Sequence, residues 1–331
     1  MVRLKVTLDV YSGNTNPSWE MPEDKVKEFF EIKGWKELMN PEDYGVSLDL
    51  GYRGFIISVL SEEDDDKNIN LPTSVPKTKS DISKTKKFYL PITFRIFGSK
   101  TTNVQNKNLK SSFSMDDIQE KEKWLLQTYN ESQDINAAEA INAEVGSELK
   151  RYVEQSISNG GVVNYESSQQ QEEEQLSTKM LAACNLWCAY YNPGFWNDSY
   201  SISRNNCYNY ASNYRSHTFA QPGRAHGCSY SIDCSSVHNA AQCDGLTNTC
   251  GSNATYLVAL VIWPGVDYHW YHWHGAGSDY FWGHKPGGTA ARNWDSNGSR
   301  LVPPLQPHNC NRGPYTIFCG YYYQPKGAYI R

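Results

Sequence analysis

The sequence predicts an α+β fold in three stretches, and three observations predict it. Short apolar–polar alternations of strand length occur near both ends of the chain. Longer stripes at helical spacing lie between them. The composition also changes at one point near residue 180. All nine cysteines follow residue 183, whereas the last glutamate is Glu174. Seven of the ten tryptophans also follow residue 183. From there on, nine Lys/Arg face six Asp, a balance of +3, so the remainder of a chain of net charge −5 carries −8. Such a shift marks a domain boundary. The expected organisation is a small α+β module over 1–100 and a helical, low-complexity linker over 101–180. A Cys-, Trp- and Tyr-rich α+β domain follows over 181–331, with a helix packed on an antiparallel sheet.

"RLKVTLDVYSG" (3–13) alternates and ends at Gly13, which predicts a strand. "EDKVKEFFEIKGWKELM" (23–39) spaces Val26, Phe29, Phe30 and Leu38 as a helix does. Its acids come first, where the helix dipole favours them. "GYRGFIISVL" (51–60) predicts a second strand, and "FYLPITFRIFG" (88–98) another with Pro91 at an edge or bulge. Residues 61–88 are too polar to bury much and predict a mobile loop. Ser114 and Asp117 suit a helix start, and Ile135 to Val153 form one apolar stripe, so 114–158 is expected to be helical. "SSQQQEEEQ" (167–175) is a linker or a solvated helix. "TYLVALVIW" (255–263), "YHWYHWH" (268–274), "DYFWGH" (279–284) and "GPYTIFCGYYYQP" (313–325) are the C-terminal strand candidates.

Bulk properties narrow the function. An acidic chain with no basic stripe excludes nucleic acid as the main partner. No run reaches the roughly 18 apolar residues of a membrane span. Nine irregularly spaced cysteines read as a disulfide framework, hence an extracellular or other oxidising location. Four N-x-[ST] sequons, at Asn130, Asn197, Asn253 and Asn297, are compatible with that route. Met1 runs straight into "VRLKVTLDV", with no signal-peptide core. Either the leader is absent from this numbering, or export is leaderless, or the thiols are reduced.

"NNCYNYASNY" (205–214) is the stretch with chemical promise. Asn205 and Asn206 are strong N-cap types, which puts Cys207 in the first turn of a helix. A helix start favours the thiolate. An odd cysteine count leaves one thiol over if eight pair, and Cys207 has the most suitable surroundings. A cysteine nucleophile needs a base held by a third group. "VDYHWYHWH" supplies His269, His272 and His274. With a four-residue loop at "GAGS" (275–278), His274 pairs with Asp279 and His269 falls opposite His284. With a five-residue loop, Asp295 or Asn293 becomes the orienter. Asn206 and Asn209 are candidate oxyanion donors, and Trp270 a candidate substrate contact. The plain alternatives are a bridged Cys207 and histidines that belong to an aromatic sheet face. A zinc site at His272 and His274 lacks tidy C-x2-C pairs, so neither a metal nor a cofactor is expected.

"NNCYNYA", "FAQPGRA" (219–225), "ALVIWPGVDYHWY" (259–271), "HKPGGTAA" (284–291) and "RGPYTIFCGYY" (312–322) resemble the signature of a largely uncharacterised family. "VTLDVYSGNTNPSW" resembles a short module that accompanies such chains. The order Cys207, His269, His284 also resembles that of papain-like cysteine hydrolases, including bacterial cell-wall endopeptidases, although "C-G-x-C-W" and "D-C-S-G" are absent. That resemblance implies a thiol hydrolase or transferase acting on an amide bond of a peptide or a peptidoglycan-like substrate. Cys207 would attack, His269 would act as base and acid, and His284 would orient it. The competing reading is a non-catalytic secreted binding or self-assembling structural protein stabilised by disulfides. Its sixteen C-terminal tyrosines and seven tryptophans would stack on peptide or glycan, or join copies into a homo-oligomer.

Overall fold

Alternation in the sequence becomes alternation in burial along β1 (Arg3–Leu8), where Leu4, Val6 and Leu8 are buried and Arg3 and Lys5 exposed. The computed structural model describes residues 3–32, 50–60, 93–97, 115–131, 143–159, 186–250, 255–276 and 279–331. Those residues contain helices and antiparallel sheets, so the fold is α+β. The stretches at 33–39, 61–88 and 167–175, and the cap at Ser114, lie outside them.

The chain divides into two units. The first comprises 1–10, 16–47 and 52–163, and the second 11–15, 48–51 and 164–331. In the first, β1, β2 (Ser18–Glu20), β3 (Gly54–Leu60) and β4 (Thr93–Phe97) form an antiparallel sheet of order β2-β1-β3-β4. It is accompanied by α1 (Glu23–Glu31), α2 (Met115–Glu131) and α3 (Ala143–Ser158). Both longer helices, which the sequence places in a linker, group with this unit. Trp19, Phe29, Phe55, Ile57, Leu125 and Val153 build its core. Two polar devices sit inside. Arg53 meets Asp9 at 2.8 Å with both side chains buried. Tyr52 donates its hydroxyl proton to Glu122 at 3.0 Å. Burial raises the Glu122 carboxyl to about 8, against the bond from Tyr52, which lowers it.

The second unit holds β5 (Thr255–Trp263), β6 (Asp267–Ala276), β7 (Asp279–His284) and β8 (Ile317–Pro325) in the antiparallel order β7-β6-β5-β8. Helices α4 (Pro193–Asn197), α5 (Cys207–Ala211) and α6 (Cys234–Cys243) belong to it. All nine residues of β5 are buried, because both of its faces are covered. On one face, Val258, Leu260, Ile262, Tyr268 and Trp270 pack with Cys207, Tyr208 and Ala211 of α5 and Val237 and Ala241 of α6. Disulfides join Cys228 to Cys243 and Cys234 to Cys319. Cys250 is also bridged. Among the described residues three thiols stay unbridged, namely Cys188, Cys207 and Cys310. The expectation of a single spare cysteine is therefore corrected.

Candidate functional site

Asn206 caps α5 as its residue type dictates. Its backbone is extended (φ −111°, ψ −165°), and its Oδ1 accepts the N–H groups of Tyr208 and Asn209, each at 3.1 Å. Asn209 returns the bond, its Oδ1 accepting from the Asn206 N–H at 3.2 Å. The remaining valences are also used. Asn206 Nδ2 donates to the carbonyls of Gly13 and Ala220, both at 2.8 Å. Asn209 Nδ2 donates to Tyr214 O and Ser216 Oγ, and its Oδ1 also accepts from the Ala220 N–H. Two donors and two acceptors are all that a primary amide owns. Both asparagines are saturated and bind the α5 cap to neighbouring loops. The Cys207 N–H reaches Ser12 O at 3.5 Å. The N–H groups of Tyr208, Asn209 and Tyr210 at this helix start thus already have acceptors, and that of Cys207 has a distant one.

Cys207 stands where the sequence predicts, first in the helix and unbridged. It is fully buried, and its Sγ lies 4.0 Å from Tyr268 O. Burial, followed by the nearby Asp267 charge, pushes its thiol well above the ordinary cysteine range. The Trp270 N–H and the Lys285 charge act the other way. Desolvation is the largest of these effects and outweighs the benefit of a short helix start.

The histidines follow neither the four- nor the five-residue-loop register. Ala276, not His274, pairs with Asp279, and His284 stands opposite Tyr271. The shift is of two residues, so side-chain parity is kept. His269 and His284 become diagonal neighbours on one face, with Nε2 and Nδ1 at 2.8 Å. His284 Nε2 lies 2.8 Å from Trp294 O, which can only accept. His284 Nδ1 is then the acceptor and His269 Nε2–H the donor. Burial, aided by Arg292, holds His284 neutral, its pKa well below the usual range. The expected partnership of His269 and His284 is present, but not beside the thiol. Tyr268 and Trp270 turn towards Cys207, whereas the His269 ring meets Tyr271, His284 and Tyr315. Cys207 and His269 lie on opposite faces of β6.

The other candidates are also placed. Trp270 is wholly buried, its ring meeting those of Tyr208 and Tyr322. Asp295 does not meet His284. It accepts the N–H groups of Asn297, Ser299 and Asn311 and so shapes a loop. His272 and His274 share a face, with ring centroids 4.5 Å apart. Their Nδ1 atoms lie 2.7 Å from Ala211 O and 3.0 Å from Ala189 O, and His274 Nε2 lies 2.7 Å from the Tyr210 hydroxyl. Among the described residues no group of three His, Cys, Asp or Glu is placed to hold a metal.

Three residues that no sequence motif singles out hold this region together. Asp267, buried, accepts from the N–H groups of Ser12, Gly13 and Asn14 and from the Tyr315 hydroxyl. Gly13 is required there, because a Cβ would come within 2.5 Å of the Tyr268 ring. Lys285, also buried, donates its ammonium protons to the carbonyls of Ile202 (2.6 Å), Asn205 and Gly287 (2.7 Å). Gln221 ties Gly13 O, Phe219 O and the hydroxyls of Tyr230 and Tyr268 together. A lone charge at a strand start ("VDYHWY") and a lysine before Pro-Gly-Gly were the available signals.

No family model matches the chain, and no solved structure matches it. Among curated proteins it is similar to "Insoluble matrix shell protein 1" of Ruditapes philippinarum. The two are 44% identical over 134 residues, which are 40% of this chain and 86% of the relative. Identity at that level across most of the relative's length is shared descent, and the chain belongs to the family of insoluble matrix shell protein 1.

Proposed function

We propose that the chain is a non-catalytic, extracellular matrix protein that works by forming a rigid, self-associating scaffold. The observation that carries this reading is the 44% identity to an insoluble shell matrix protein over 86% of that protein's length. The site chemistry supports it. The residues of the sequence signature, Asn206, Asn209, Gln221, Asp267 and Lys285, spend their polar atoms on the backbone of neighbouring segments, at Gly13, Tyr214, Ser12 and Ile202 among others. Disulfides in the second unit suit an oxidising location. All eight exposed large apolar side chains among the described residues lie in that unit, among them Trp187, Tyr190 and Tyr280. Exposed rings of this kind serve stacking on peptide, on glycan or on a second copy. The test is fractionation of the tissue that makes the protein, together with sedimentation of the purified chain over a range of concentrations. Recovery from the insoluble extracellular residue and concentration-dependent growth in size are expected. A soluble protein that stays monomeric throughout overturns the reading.

The thiol-hydrolase reading keeps one supporting observation, a free Cys207 at a capped helix start. It requires the thiol to react in the native protein. Loss of a measured amidase activity on iodoacetamide treatment, with the adduct at Cys207, would restore it.

A further inference from the structure

We propose that Asn297 carries an N-linked glycan and that Asn197, a sequon of the same form, does not. The inference rests on the extracellular reading above. Two of the four sequons have described side chains, and the fold treats them oppositely. Asn197 ends α4 with its amide engaged on both sides. Its Oδ1 accepts from the Ala291 N–H at 2.7 Å, and its Nδ2 donates to Ala291 O at 3.4 Å. Asn197 is half-buried and Ala291 buried, so a sugar on that nitrogen would compete with the hydrogen bond to Ala291 O. Asn297 is exposed, in a turn closed by the Gly298 N–H on Asp295 O, with Gly298 at φ +81°. Its Oδ1 accepts from Asn311 Nδ2 at 2.8 Å, while its own Nδ2 makes no hydrogen bond among the described residues. An N-substituted amide keeps that oxygen, so the Asn311 contact survives glycosylation. The Ser299 hydroxyl, the third sequon residue, is exposed and likewise makes no hydrogen bond among the described residues. Asp295 meanwhile fixes the turn through the N–H groups of Asn297 and Ser299. A polar hollow of about 330 Å3, lined by Asn297, Ser299, Asn309 and Asn311 among others, leaves room for the first sugar.

The transfer balances with a polyprenyl-pyrophosphate oligosaccharide as donor, the usual co-reactant of a secretory lumen. A bond forms between Nδ2 and the sugar C1, the C1–O bond to pyrophosphate breaks, Nδ2 gives up one proton, and the lipid pyrophosphate leaves.

The experiment is peptide mapping of the protein from its native tissue after peptide N-glycosidase treatment in heavy-oxygen water. Separate localisation establishes export. Heavy aspartate at 297, light asparagine at 197, and loss of one glycan's mass in a secreted Asn297→Gln variant are expected. A Ser299→Ala variant should lose the same mass with its asparagine intact. An exported protein with unmodified Asn297, or with aspartate there that is light or that is equally heavy when the glycosidase is left out, as deamidation of the Asn-Gly pair would give, overturns the inference and leaves the extracellular reading standing. A glycan at Asn197 in the folded protein overturns it as well. A protein that is never exported overturns both.

Discussion

Glu122 in the first unit and the Asn206, Asn209, Asp267 and Lys285 set in the second hide polar groups in opposite ways. In the first, the buried carboxyl of Glu122 has one partner, the Tyr52 hydroxyl, and its second oxygen has none among the described residues. In the second, buried polar side chains such as Asn206, Asn209, Asp267 and Lys285 have several partners each. Covalent bridges are likewise described only there. Glu122 therefore depends on its proton staying in place, and the Asn206, Asn209, Asp267 and Lys285 set on its network staying intact. Each should fail first at its own device.

Breaking the network covalently has the largest expected effect. The Cys234–Cys319 bridge spans 85 residues and Cys228–Cys243 spans 15. By loop-closure entropy their removal costs about 4–5 and about 3 kcal/mol respectively, as upper figures. Hydrogen exchange after Cys234→Ser with Cys319→Ser should show the second unit opening while the first keeps its protection. Equal loss in both units would remove the distinction. Next comes Lys285→Met, which leaves three buried carbonyls without their cation. Its cost is about 3–5 kcal/mol, since breaking a buried charge-assisted set is far dearer than omitting it. Denaturant titration of that variant should lower the midpoint of the second unit alone.

The pH dependences of the units should run in opposite directions. Glu122 is raised in the fold to about 8 from 4.5. Its contribution is full below pH 4.5 and is lost as pH rises towards 8, on the order of 3 kcal/mol by pH 7. Glu122→Gln keeps the bond from Tyr52 and should stabilise the first unit by up to that amount at pH 7, with little effect at pH 4. His272 and His284 are lowered well below 6.5, and His274 to about 4, burial being the leading cause for each. Their contribution is full above pH 6.5 and is lost as pH falls. For His274 it amounts to roughly 3 kcal/mol by pH 4. Thermal melts from pH 4 to 8, with each unit followed by hydrogen exchange, check both slopes. Parallel slopes would end the contrast.

How much of this was legible in the sequence follows from the range of each interaction. The helix start at Cys207 was readable, because an Asn cap acts within three residues. The bounds of β5 and β7 were readable from their own side-chain patterns. The hairpin register was not. His269 still met His284 because a shift of two preserves parity. Which face of β6 receives α5 was not legible either, since it depends on packing between distant segments. The roles of Asp267 and Lys285 stayed hidden for the same reason, as their partners are carbonyls and N–H groups that no residue type announces.

The smallest expected effect concerns Cys207 itself. A buried thiol that burial holds protonated reacts only when the second unit opens. Iodoacetamide labelling of Cys207 should therefore lag behind that of the half-buried Cys188. It should accelerate in step with unfolding when Lys285→Met or the missing Cys234–Cys319 bridge loosens the unit. Cys207→Ala should cost about 1 kcal/mol through lost packing and leave the other cap residues bonded. Fast labelling of Cys207 in the intact, fully protected protein would mean that the thiol is solvated and ionisable. The second unit would then be guarding a reactive group, and the contrast between a proton-dependent unit and an inert network would have to be redrawn around that sulfur.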